Sequence, residues 1–113
     1  MGGALAAPAL VQAQGTWKPD KPVTIYNPLA AGGVADVHLR FLGERMGRKW
    51  GTQVIVDVKA GAAATLAAAQ MVNTKPDGYT IACMTINSLR YPHYQTAAWH
   101  PLRDFSYIVG LSE

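Results

Sequence analysis

A single cysteine, Cys83, stands in the whole chain, which excludes an intrachain disulfide and any metal site built from several thiolates. No run approaches the ~20 consecutive apolar residues that span a bilayer. Charge is scarce at 15% of residues, yet half the residues are hydrophobic, a balance too apolar for intrinsic disorder. Residues 1–17 carry no Lys, Arg, Asp or Glu at all, so the net charge of +3 belongs wholly to residues 18–113. That mild excess favours anionic ligands without supplying the dense basic patch of a nucleic-acid binder. With 113 residues and 12.1 kDa, the chain makes one small domain at most.

The uncharged start has two readings. Residues 4–11 are apolar, and Val11-Gln12-Ala13 sets small residues around a cleavage site of the A-x-A type. This pattern fits the later part of a secretory signal peptide followed by a spacer. An Ala-rich disordered tail fits it as well.

From Trp17 onward the pattern becomes regular. Pro19 and Pro22 keep the lead-in extended. Val23–Tyr26 is rich in β-branched and aromatic residues and predicts a strand. Ala35, Leu39, Leu42 and Met46 recur at helical spacing over Val34–Trp50, with Val34, Val37 and Phe41 widening the apolar stripe and Gly51 stopping the helix. Gln53–Val58 predicts a second strand, Ala62–Val72 a small-residue helix, and Tyr79–Met84 a third strand after the Pro76-Asp77-Gly78 turn. Thr85–Ser88 reads as a polar loop, residues 89–105 as irregular or weakly helical, and Ser106–Gly110 as a fourth strand.

Alternating strands and helices with short connections predict an α/β fold. The sheet has three to four mainly parallel strands in the order 2-1-3, joined by right-handed crossovers. That order puts a switch point beside the first strand, where ligands of open α/β sheets bind at the carboxyl ends. Three loops meet there. Pro28, Leu29, Ala30, Ala31, Gly32 and Gly33 lead into a helix whose free N–H groups attract an anion. Asp36, in the first helical turn, either stabilises the helix start or orients a bound water or ligand donor. Gly61, Ala62, Ala63, Ala64 and Thr65 offer further bare backbone N–H groups, and Thr85, Asn87 and Ser88 add hydroxyls and an amide. Together they predict an uncharged cradle for a carboxylate.

Sharper chemistries lack their residues. There is no Gly-Lys-Ser/Thr of a phosphate loop, no G-x-G-x-x-G and no G-x-S-x-G around Ser88. His38, His93 and His100 lack metal-ligand spacing and read as surface or turn residues. Cys83, in an apolar strand, reads as a core residue. Tyr91, Tyr94 and Trp99 read as aromatic packing under a loop rather than a pocket lining. A Rossmann-like enzyme on the same edge requires a nucleotide fingerprint or a catalytic pair, and neither is present; no cofactor is expected.

Four segments carry a family resemblance: Lys21-Pro22-Val23, Gly32-Gly33-Val34-Ala35-Asp36, Lys75-Pro76-Asp77-Gly78-Tyr79-Thr80 and Pro101-Leu102-Arg103-Asp104-Phe105. In this order and spacing the chain, over residues 18–113, resembles the tripartite tricarboxylate transporter substrate-binding proteins, the Bug or TctC-type periplasmic receptors. The resemblance implies a two-lobed α/β receptor of the type II periplasmic binding protein kind, not an enzyme. Such a receptor closes over a small carboxylated ligand and delivers it to membrane transporter subunits. It implies export to the periplasm, ligand contacts from the loops Pro28–Asp36, Lys59–Thr65 and Thr85–Ser88, and a partial first lobe over residues 18–113. One lobe alone is expected to bind weakly, because enclosure supplies the affinity. A truncated or scaffold-only product is the alternative. The family's second loop typically reads Asn-Arg-Pro-Gly-Ala-Gly-Gly, and here Ala63 and Ala64 stand at its last two glycines. Alanine there is costly wherever φ is positive.

Overall fold

The computed structural model describes residues 17–111. The signal-peptide reading falls on residues 1–16, outside the described residues. Trp17, the last residue of that uncharged segment, sets its ring edgewise against Trp50 and Tyr79, with centroids 5.6 and 5.8 Å away.

The order is β1 (Val23–Asn27), α1 (Val34–Trp50), β2 (Val54–Val58), a 3-10 turn (Ala62–Ala64), α2 (Leu66–Met71), β3 (Thr80–Ala82), α3 (Ile86–Arg90) and a second 3-10 turn (Tyr91–His93). The sheet is parallel, in the order β2-β1-β3. Val23 pairs with Val54 on one side of β1, and Thr24 with Thr80 on the other. The first crossover runs outward from β1 to β2, and the second runs back from β2 past β1 to β3. With right-handed connections, this puts α1 and α2 on opposite faces.

β1 is the core strand, with Val23 and Ile25 almost fully buried by alternation. Leu39 of α1, Ala67 and Ala68 of α2, and Trp99 complete the described core. Alanines suit the second position because methyl side chains let a helix approach a sheet closely. Gly51 ends α1 in the left-handed conformation and donates its N–H to Gly47 O at 2.8 Å.

Four expectations need correction. Ser106–Gly110 forms no strand; Tyr107, Ile108 and Val109 are exposed, and the segment pairs with nothing among the described residues. β propensity alone does not make a strand without a neighbouring edge. The helix expected over Ala62–Val72 begins only at Leu66, because Ala62–Ala64 turn with the opposite hand. Thr85–Ser88 is no loop but the cap and first turn of α3. Val34, Val37 and Phe41 are exposed, at 74%, 58% and 57%, while Asp36 and Gly43 lie on the buried face. The face of α1 follows its close packing on β2 rather than residue hydrophobicity. A Cβ on Gly47 would stand 2.8 Å from Thr52 O.

Candidate functional site

The parallel sheet sends the chain off the same edge three times, after Asn27, Val58 and Ala82. The first and second loops join where Lys59 N donates to Asn27 O at 2.7 Å, and Cys83 N extends the other side of the ladder to Tyr26 O.

The first loop is built around a buried polar pair. Asn27 Nδ2 donates to Asp36 Oδ1 at 3.1 Å, and Asn27 Oδ1 accepts from Leu29 N at 3.0 Å. Asp36 Oδ2 accepts from Gly32 N and from Arg40 Nε, each at 2.9 Å. The Arg40 hydrogen bond, then the Gly32 N–H and the Asn27 amide, hold the Asp36 carboxyl below the ordinary aspartate range against the opposing effect of burial. Both carboxylate oxygens accept hydrogen bonds, from Asn27, Gly32 and Arg40, and so tie the loop to α1. Asn27 was not among the expected residues. The signal for it is the Asn-Pro step ending an apolar strand, a turn-starting pair.

Around this pair, Pro28 is buried, while Leu29, Ala30, Ala31, Gly32 and Gly33 are exposed. Gly32 takes φ +82°, which a non-glycine residue adopts only with strain. Gly33 N-caps α1 without a side-chain bond, and the N–H groups of Val34, Ala35 and Asp36 have no partner among the described residues. They form the positive end of a 17-residue helix.

The second loop turns through Gly61 at φ +138° and then Ala62, Ala63 and Ala64 at φ +48°, +54° and +64°. Three consecutive L-residues in the left-handed region cost ~1–2 kcal/mol each. Every carbonyl of the turn is held. Ala62 O accepts from Thr65 N at 3.1 Å and Thr65 Oγ1 at 2.6 Å. Ala63 O accepts from Asn87 Nδ2 at 3.1 Å, and Ala64 O from Thr85 Oγ1 at 3.2 Å and Ser88 Oγ at 3.1 Å. The N–H groups of Ala62, Ala63 and Ala64 donate to nothing among the described residues. Successive free N–H groups of this kind make a concavity that attracts anions.

The third segment thus turns its polar side chains onto the second. Ser88 is buried, its carbonyl accepting from Trp99 Nε1 at 3.0 Å, and Tyr91 stacks on Trp99 with centroids 5.8 Å apart. Tyr91 and Trp99 pack together as expected, but Tyr94 is exposed and, with Trp99, also lines a hollow. Burial pushes the Cys83 thiol up, away from the reactive thiolate. An open hollow lined by His93, Trp99, His100 and Arg103 includes none of the candidate loop residues. Among the described residues no group of three or more His, Cys, Asp or Glu could hold a metal ion.

A family model described as "Tripartite tricarboxylate transporter family receptor" matches residues 38–113. The chain belongs to this receptor family. A UPF0065 protein in the gbd 5′ region of Cupriavidus necator is 36% identical over 110 residues, covering 97% of this chain and 33% of that protein. Another, in the TAR-I ttuE-ttuC′ intergenic region of Agrobacterium vitis, is 36% identical over 107 residues, covering 94% of this chain and 31% of its own length. The chain therefore spans about a third of these relatives. Among solved structures, "a periplasmic transporter" superposes with a TM-score of 0.69 at 26% identity, over 75% of this chain and 29% of the other. The periplasmic binding protein BugD superposes with a TM-score of 0.54 at 41% identity, over 57% of this chain and 21% of BugD. Receptor-family membership and the α/β architecture agree with the sequence reading.

Proposed function

We propose that this chain is the ligand-loop portion of a periplasmic solute-binding receptor that captures a small carboxylate for a tripartite transporter. Residues 18–113 supply most of its first lobe, and residues 1–17 an export signal and spacer. The carrying observation is the pair of unpartnered N–H sets leaving one sheet edge, one at the start of α1 and one in the turn Ala62–Ala64. A carboxylate has two oxygens, each able to accept two hydrogen bonds, and both N–H sets carry partial positive charge. The loop Pro28–Gly33 and the turn Gly61–Thr65 bring backbone to the ligand, with Thr85, Asn87 and Ser88 bordering the turn. Charge plays a smaller part: Asp36 is paired with Arg40, and Lys59 with Asp57 at 3.2 Å. Nothing in this arrangement activates a nucleophile or moves a proton, so the reading is recognition without catalysis.

Amide chemical-shift titration of the chain with citrate and with succinate tests this, with sodium chloride at matched ionic strength as reference. Shifts concentrated at Val34–Asp36 and Ala62–Ala64 are expected, saturating in the millimolar range. Shifts no larger than those from chloride would overturn the reading.

A further inference from the structure

We infer that Asn87 and Ser88 are positioning residues: they hold the turn Ala62–Ala64 in its left-handed conformation and so fix where its N–H groups point. The inference rests on the proposed carboxylate reading for its purpose, but the lock itself does not. Three features carry it. The turn is stereochemically disfavoured at each of three alanines. All three carbonyls are nevertheless bonded, two of them by side chains lying more than twenty residues later in the chain. Ser88 is itself fixed from behind, since it is buried and its carbonyl takes the indole N–H of Trp99, on which Tyr91 stacks, while Asn87 is exposed.

This division of labour is chemically specific. Asn87 points its amide nitrogen at Ala63 O, and Ser88 points its hydroxyl at Ala64 O. The peptide whose oxygen Asn87 holds carries the Ala64 N–H, which stays open to an incoming acceptor, whereas the peptide held by Ser88 carries the Thr65 N–H, which closes the turn on Ala62 O. The Asn87 bond also polarises its peptide, strengthening the Ala64 N–H as a donor. Glycine at these positions would meet no Cβ penalty. With alanine the penalty exists, so the lock has more to hold.

The test is a double-mutant cycle in the full chain. Asn87→Asp keeps the shape of the side chain and removes the donor. We expect it to lower the thermal midpoint by about 4–8 °C, the response of a domain this size to losing one such bond, and to displace the amide resonances of Ala62–Ala64. Ala63→Gly makes the left-handed conformation free of strain, so Asn87→Asp placed on it is expected to lose less than half as much. Ser88→Ala paired with Ala64→Gly is expected to show the same coupling at a smaller size, since Thr85 Oγ1 still holds Ala64 O. Equal losses with alanine and glycine in the turn would show that Asn87 and Ser88 act only through α3, and would overturn the inference. Citrate titration of the same variants separates the two readings. Coupling to glycine without any citrate response keeps the lock and removes the carboxylate role. A citrate response unchanged by Asn87→Asp, with no coupling, does the reverse.

Discussion

Asn27 and Asp36 bind each other at the root of the first loop, amide to carboxylate at 3.1 Å, both buried at the carboxyl end of the central strand. The pair ties the last residue of β1 to the first turn of α1, so the intervening loop cannot open without breaking it. Asn27→Ala strips a partner from Asp36 and from the Leu29 N–H together. An expected loss of about 2 kcal/mol, read by urea denaturation, follows from leaving such groups without partners.

The same pair sets an acid response. The Asp36 carboxyl titrates below its ordinary value, chiefly through Arg40 and then Gly32. A depressed carboxyl contributes stability above the unfolded pKa, near 4, and loses it as pH falls through the lower folded value. The urea midpoint should therefore decline as pH drops below about 4. Asp36→Asn should be less stable at pH 7 and show a shallower decline. The decline should not vanish, because Asp20 and Asp104 are lowered as well, through Tyr79 and Arg103 respectively.

Ala64→Gly should raise stability by about 0.5–1 kcal/mol, since relief of a left-handed Cβ outweighs the extra freedom of the unfolded chain. Ala63→Val, which adds β-branching in the same region, should lower it by roughly 1–3 kcal/mol. Equilibrium unfolding of the two variants checks both signs.

Gly47→Ala runs against helix propensity. In an open helix it would gain about 1 kcal/mol. Here the new methyl meets Thr52 O at 2.8 Å, a backbone atom that cannot rotate away. A net loss of about 1–3 kcal/mol in thermal unfolding is expected.

Trp99→Phe keeps a ring beneath α3 but leaves Ser88 O without its indole donor. The expected loss is about 1 kcal/mol. The ring contact with Tyr91 should survive, visible as continued upfield displacement of the Tyr91 ring protons.

The sheet order, the two crossovers and α1 were legible because each rests on local signals that agree: β-branched strands, a helical apolar period and glycine stops. What escaped rests on tertiary context. Three alanines in a row signal a helix, yet Thr65, Thr85, Asn87 and Ser88 hold them with the opposite hand. Val34, Val37 and Phe41 look like core, but α1 packs through Gly43 and Gly47, whose missing side chains allow the closer approach. Ser106–Gly110 has strand residues and no strand to join. The candidate loops were placed by strand order alone. Their interior logic, Asn27 against Asp36 and the third segment against the second, needed coordinates.

Trp17 touches the last residue of α1 and the residue just before β3, and its ring also faces Gly78. During refolding it can reach both partners only once the two crossovers have wound and β3 has come alongside β1. Quenching of its emission by Tyr79 and Trp50 would therefore time the closing event of assembly, whereas Trp99, beneath α3, would report on the far edge.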